Sequence, residues 1–254
     1  MSRACNNSNR WSKSISNSSS SADDRQRDRA SDGVKAYIKL ILDYIENKNW
    51  DAFERLVLSS AQSFRSTSRR ISEMNELNGT LVHCCAYYDP PLKLLEKMIK
   101  IKPSATRERD ILGRTPLHIA VGSGASEDSI SFLVVSDPRA CGCQDIDGRT
   151  PLHFACDSSS QLIEGDDPVG REPPSYNLVR TLLSGRRDSA ALEDNEGMNA
   201  IEYALISETD MRTIRLLQRA TQRQVRREKE EETKQHNVHR SSANRPTSLA
   251  ARSA

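Results

Sequence analysis

Apolar residues recur through the middle of the chain at helical spacing, in short segments separated by turn residues. Ile130, Leu133 and Val134 stand at positions i, i+3 and i+4, and the same pattern begins again at Val179. This spacing brings apolar side chains onto one face of a helix and leaves the opposite face polar. The pattern therefore predicts an all-α protein built from short amphipathic helices.

One eleven-residue segment occurs twice. Residues 110–120 read DILGRTPLHIA, and residues 145–155 read DIDGRTPLHFA. A weaker copy begins at Asn75, and a fourth begins at Asp194 after a longer interval. A fixed period of this size predicts stacked structural units, because one helix pair buries its apolar face only against its neighbours.

Each position in the repeated segment has a local physical reason. Gly113 stands where a tight turn requires a positive φ, and Thr115 is a good residue to cap a helix N-terminus. Pro116 follows at the first helical position, where a missing N–H costs nothing. We therefore expect each segment to form a turn that leads directly into a helix.

The Thr-Pro-Leu-His-x-Ala motif at 115–120 and 150–155 resembles the signature of the ankyrin repeat. The resemblance covers roughly residues 75–220 and implies an ankyrin-repeat solenoid of stacked helix pairs with degenerate capping repeats. The expected domain spans 34–221. Its parts are an N-terminal capping helix pair (34–60), repeats starting near 75, 110, 145 and 194, and an insertion (159–175). We interpret the insertion as a tolerated loop, with a binding loop as the alternative.

Composition distinguishes the two ends from the centre. The chain has a net charge of +2 and only 36% hydrophobic residues, and its longest apolar runs are far too short for a membrane span. A Ser-rich leader (1–33) and a charged tail (222–254) are predicted to be disordered, because they offer little apolar surface to bury. The leader overlaps in composition with organelle transit peptides, but we favour the cytoplasm or nucleus.

No catalytic, cofactor or metal site is predicted. His83, His118 and His153 occur once per repeat, and on the family's pattern each imidazole bridges to backbone or to the capping threonine. Histidines 35 residues apart in a stack do not converge on one ion. The cysteines lack the paired spacing of a zinc site, and no apolar signal segment accompanies them, which indicates a reducing compartment.

The resemblance implies a non-enzymatic adaptor or scaffold that binds another protein, of unknown identity, on the concave face of the stack, and we expect a monomer. Turn tips and first helices form that face, which also includes Ile111 and Ile146. Tyr and Arg dominate interface hot spots, so Tyr87, Tyr88, Arg114 and Arg149 are favoured. The predicted partner-binding residues are Tyr87, Tyr88, Leu112, Arg114, Ser123, Asp147, Arg149, Asp157, Ser158 and Met198.

Two alternatives remain from the sequence. In one, the basic tails bind nucleic acid or an anionic membrane while the repeats serve as a scaffold. Nucleic acid is disfavoured, because acids interrupt the C-terminal basic run and no aromatic residues stand there to stack on bases. In the other, the tails carry an enzymatic activity, which requires that they fold.

Overall fold

A computed structural model of the chain describes residues 25–74, 79–159, 162 and 172–243. The described residues contain helices and turns but no β-strand, apart from one isolated bridge between Glu193 and Asn199. The α-helices are α1 (Arg25–Glu46), α2 (Trp50–Val57), α3 (Ala61–Met74), α4 (Leu81–Tyr87), α5 (Leu92–Ile101), α6 (Pro116–Gly122), α7 (Glu127–Ser136), α8 (Pro151–Cys156), α9 (Tyr176–Gly185), α10 (Ala200–Ile206) and α11 (Met211–Ala243). Short 3-10 turns (Pro103–Arg107, Pro138–Gly142 and Arg187–Ala191) lead out of α5, α7 and α9.

The helices from α4 onward form two parallel rows. The first helices of the repeats, α4, α6, α8 and α10, each contact the next, and so do the second helices, α5, α7, α9 and α11. Between the rows lies one continuous hydrophobic core, which extends from Ile38 in α1 to Leu217 in α11. The predicted all-α solenoid of stacked helix pairs is confirmed.

Each first helix begins at a capping box. Thr115 adopts an extended conformation and its side chain accepts the N–H of His118, while His118 Nδ1 accepts the N–H of Thr115 at 3.0 Å. The first and third repeats use the same Thr–His pair. In the fourth, Asn199 and Glu202 replace it, and Glu202 Oε2 accepts the N–H of Asn199 at 2.7 Å. The degenerate last copy thus keeps the cap with different residues.

Successive turns bond to each other through their backbones. The N–H of Ile146 donates to the carbonyl of Leu112 at 3.0 Å, and the N–H of Asn195 donates to the carbonyl of Asp147 at 2.9 Å. Inside each turn an aspartate accepts backbone N–H groups, as Asp145 Oδ1 does from Arg149 at 2.8 Å. We call the line of turns at 110–114, 145–149 and 194–198 the tip row.

Upstream of the repeats the chain forms three helices, where the sequence predicted a pair over 34–60. The additional helix, α3, buries Phe64, Thr67, Ser68 and Ile71 and contacts both α4 and α5. Its buried positions follow i, i+3, i+4 and i+7, but only the first and last of them, Phe64 and Ile71, are apolar. This signal is weak because Ser and Thr fill half of the buried face.

The structure places the two outer boundaries differently from the sequence. α1 begins at Arg25, inside the predicted leader, and α11 continues to Ala243, beyond the predicted boundary at 222. Arg, Lys, Glu and Gln are strong helix formers, and an Arg226–Glu230 pair at i,i+4 supports the extended part of α11. The rest of both predicted tails, 1–24 and 244–254, lies outside the described residues, as do 75–78 and most of the insertion.

Gly148 and Gly197 offer a matched test of the tip row, because both have a positive φ, 77° and 78°. A Cβ on Gly197 would meet nothing within 4 Å, whereas one on Gly148 would lie 2.9 Å from the backbone nitrogen of Asn195. We expect Gly197→Ala to lower the free energy of unfolding by about 1 kcal/mol from backbone strain alone. Gly148→Ala should cost about 2 to 3 kcal/mol, since neighbouring turns must also separate. Urea denaturation measures both, and equal losses would show that the turns do not depend on close contact.

Candidate functional site

The tip row exposes apolar side chains at equivalent positions of two repeats. Ile111 and Ile146 are each 56% exposed, although isoleucine is among the residues most often buried. The hydrogen bond from the N–H of Ile146 to Leu112 sets the two turns side by side, so the two isoleucines stand on neighbouring tips. Asp147 and Glu196, also exposed, add carboxylates along the same edge.

Tyr87 and Tyr88 lie at the C-terminal end of α4. Their rings meet edge to face with centroids 5.0 Å apart, and both are half-buried against the hydrophobic core. Each residue is partly accessible to a partner, while packing against the core restrains its ring. Rigid aromatic side chains of this kind bind partners at a low cost in entropy.

Arg114 does not lie on an open face, contrary to the sequence-based prediction. Its side chain is 4% exposed, its Nε donates to Asp110 Oδ2 at 2.8 Å, and its Nη2 lies 2.7 Å from the same oxygen in an ion pair. Nη1 donates to the carbonyl of Leu162 at 2.6 Å. The guanidinium group therefore holds its own turn together and fastens the start of the insertion, and it is not available to a partner.

Arg149, at the equivalent position, is part of an interlocked cluster between the third and fourth repeats. Its guanidinium carbon lies 5.3 Å from the ring centroid of Phe154 and 4.8 Å from that of Tyr203, and it forms an ion pair with Asp157. Its side chain is 19% exposed. Burial alone would raise the pKa of Asp157, but hydrogen bonds from Ser159 and Arg149 outweigh it and lower that pKa.

Asp157 is buried by this cluster, so it too leaves the set of accessible residues predicted from the sequence. Tyr203 extends the cluster, because its hydroxyl donates to Asp194 Oδ2 at 2.6 Å. Burial, together with this hydrogen bond, raises the pKa of Tyr203 to about 12. The cluster joins the last two repeats by polar contacts.

The remaining predicted residues make contacts between repeats. Ser123 donates to the carbonyl of Ala86 at 3.4 Å, and Ser158 bonds to Ser207 at 3.0 Å. Leu112 and Met198 are half-buried. The carbonyl of Leu112 accepts a hydrogen bond from the N–H of Ile146 in the next repeat, and the carbonyl of Met198 accepts one from His153 in the preceding repeat. Of the ten predicted residues, Asp147 is exposed, and the other nine are buried or half-buried.

Leu162, inside the insertion, was not singled out by the sequence analysis. It is buried, and a Cβ on Gly122 would come within 2.6 Å of its side chain, so the leucine rests directly on the glycine at the end of α6. The only signal that the sequence carries for this contact is the apolar pair Leu162–Ile163 in a mostly polar segment.

The repeat histidines join each repeat to the next. The Nε2–H of His83 donates to the carbonyl of Arg114, that of His118 to Arg149, and that of His153 to Met198, at 3.0 to 3.2 Å. Burial lowers the pKa of all three imidazoles, to about 3 for His118. The predicted bridging role is confirmed. Among the described residues no cluster of His, Cys, Asp and Glu has the arrangement needed to hold a metal ion.

The cysteines of the repeats are free thiols in the interior. Cys84, Cys85, Cys141 and Cys156 are buried, and burial raises the pKa of each thiol, to about 12 for the last two. A thiol that stays protonated is a poor nucleophile and a poor metal ligand. The prediction that Cys84 and Cys85 fill the core is confirmed.

Comparison with known families agrees with the geometry. Residues 72–164 match the family model described as ankyrin repeats, in 3 copies. With its capped helix pairs in two rows, the chain is an ankyrin-repeat protein. No curated protein matches it. No helix in the described ranges is long and apolar enough to cross a membrane.

The burial of Arg114 predicts a large cost for its removal. Arg114→Ala leaves Asp110 charged and unpaired in the interior, so we expect the free energy of unfolding to fall by about 3 to 5 kcal/mol. Adding Asp110→Asn should recover part of the loss, since a neutral amide still accepts the backbone N–H groups. Arg226→Ala breaks an exposed pair on α11 and should cost less than about 1 kcal/mol. Equal losses in chemical denaturation for the two arginines would contradict the buried role.

Neutral buried histidines also predict acid sensitivity. Their pKa values in the folded state lie below the unfolded value near 6.5, so stability is complete above that pH and is lost as the pH falls towards the folded pKa. A histidine whose folded pKa lies well below this window, as that of His118 does at about 3, should contribute about 1.4 kcal/mol of loss per pH unit below the unfolded value. We therefore expect urea denaturation to report a stability at pH 5.5 that is lower than at pH 7.5 by at least about 1.4 kcal/mol. His118→Gln should remove about that much of the difference, and a flat profile would argue against the neutral bridges.

Proposed function

We propose that this protein is a non-enzymatic adaptor that binds a partner protein along the tip row and the adjoining ends of the first helices. The observation that carries the proposal is the pair Ile111 and Ile146. Ankyrin repeats in general are protein interaction modules. The proposal specifies which part of this module makes contact.

The side chains of Ile111 and Ile146, each residue being 56% exposed, do not hold together the turns that display them. The turns are held by Gly113, Gly148 and the aspartates, and a polar residue at the exposed position would serve the fold equally well. Two exposed isoleucines on neighbouring tips form a small apolar patch that a partner can bury at a gain in free energy.

The charged surroundings of this patch suggest the chemistry of the partner. Asp147 and Glu196 are exposed on the same edge, whereas Arg114 and Arg149 are engaged inside the stack. The accessible charge of the tip row is therefore negative at the turns 145–149 and 194–198. We propose a partner surface with apolar side chains flanked by Lys or Arg, and Tyr87 and Tyr88 extend the contact at the far end of α4.

The alternative, in which the basic tails bind nucleic acid or an anionic membrane, remains a prediction, because most of its residues lie outside the described ranges. The monomeric state and the location in cytoplasm or nucleus are likewise predictions from the sequence.

The Ile111→Ser, Ile146→Ser double variant tests the proposal. Val135→Ser is the matched control, because Val135 is 75% exposed on α7, in the other row of helices. Quantitative mass spectrometry of proteins purified with each variant should show at least one partner depleted tenfold or more by the tip substitutions and retained by the control. Neither variant should change the melting temperature by more than about 2 °C. Equal retention of every captured protein by both variants would reject the tip row as the binding surface.

A further inference from the structure

A groove lined by arginines runs between α9 and α11. Its volume is about 510 Å³. The arginines along it are Arg180, Arg187, Arg219, Arg223, Arg226 and Arg227, all of them exposed. The first two come from α9 and the turn after it, and the others come from α11. The groove therefore exists only because the last two second helices pack against each other.

The floor of the groove is apolar. Leu183 from α9 and Leu216 and Ala220 from α11 lie between the arginines, the first buried and the other two half-buried. A surface that combines an apolar floor with cationic walls is amphipathic across its width. It matches a ligand that carries both apolar and anionic groups.

The charge of the groove is largely uncompensated. Among the lining residues whose side chains the structure describes, only Glu230 is acidic, and its Oε1 accepts the Nε–H of Arg226 at 2.9 Å. Asp188, close by, is bound by Arg186 through both carboxylate oxygens at 2.8 and 2.9 Å. Within the described side chains, Arg180, Arg187, Arg219, Arg223 and Arg227 form no ion pair.

The sequence of α11 concentrates this charge on one face. Arg219, Arg223 and Arg227 are spaced four residues apart, so their side chains neighbour one another along the helix. Like charges at this spacing disfavour a helix, and the repulsion is relieved when an anion binds between them. Guanidinium groups present paired N–H donors that fit the two oxygens of a carboxylate.

The lining distinguishes between classes of anionic ligand. The described lining residues include no aromatic side chain to stack on a base, which disfavours single-stranded nucleic acid. An inorganic anion would leave the apolar floor unused. We propose that the groove between α9 and α11 binds an acidic amphipathic segment of a partner protein, with leucine-like side chains on the floor and Asp or Glu side chains paired with the arginines.

This surface is separate from the tip row. It lies along the second helices, whereas the proposed adaptor surface is formed by the turns and the ends of the first helices. One chain would thus hold two proteins at once, a partner with basic flanks at the tips and a partner with an acidic segment in the groove. The groove proposal does not depend on the tip-row proposal.

The test uses the full chain and three fluorescent peptides of about fifteen residues, a length that spans about four helical turns. The first carries Leu at i, i+3, i+4 and i+7 among Glu residues, the second has the same composition with the leucines scattered, and the third replaces the leucines by Ser. Fluorescence anisotropy at physiological salt should show micromolar binding of the first peptide and at least tenfold weaker binding of the other two. Equal binding of all three would overturn the proposal, because attraction would then follow charge alone.

Two double variants with the same net charge locate the site. Arg219→Glu, Arg223→Glu should weaken binding of the first peptide tenfold or more, whereas Arg55→Glu, Lys93→Glu, at exposed positions of α2 and α5, should leave it within twofold. The Ile111→Ser, Ile146→Ser variant should bind it like the unmodified chain. Circular dichroism melting confirms that each variant is folded. Equal weakening by both charge reversals, or tighter binding of a single-stranded oligonucleotide or an anionic vesicle than of the first peptide, would reject the groove as a peptide site.

Discussion

The stack depends on one hydrogen-bonded bridge that each repeat makes to the next. A histidine three residues into the first helix accepts the N–H of its capping threonine on one side of the ring and donates to a carbonyl of the following repeat on the other. The bridge requires a neutral imidazole with its proton on Nε2. Burial supplies that condition by lowering the pKa of the imidazole. Cap, helix and repeat interface are therefore parts of a single interaction.

The contacts that hold the stack together also decide which side chains remain accessible to a partner. Arg114 and Arg149 occupy equivalent positions and look equivalent in the sequence, but one is buried on Asp110 and the other is held between two aromatic rings. Both guanidinium groups serve the stack. The side chains of Ile111 and Ile146, by contrast, are exposed at the turns and do not hold the stack together. Whether a residue at a given repeat position can bind a partner is therefore known only once its contacts with the adjacent repeat are known.

The last repeat shows how a stack ends. Asn199 and Glu202 reproduce the cap without the motif residues, and α11 covers the final core with Ile214 and Leu217 before it continues as a charged helix. Where α9 and α11 pack against each other, their arginines lie around an apolar floor. The end of the solenoid is thus a surface of a different kind from its tip row, and we infer that it serves a different class of partner.

From the sequence alone one could predict the helix pairs, the turns with their glycines, the capping threonines and the bridging histidines, because each follows from local spacing and from a motif repeated in register. Helix α3 could not be predicted, because small polar residues occupy part of its buried face. The contact of Leu162 with Gly122 could not be predicted either, because the two residues are far apart in the sequence. Burial of Arg114 and Asp157, and the meeting of α9 with α11, are likewise decided by packing between repeats. The local sequence pattern determines the secondary structure of each repeat. The exposure and charge of a given surface depend instead on residues that are distant in the sequence and come together only in the folded chain.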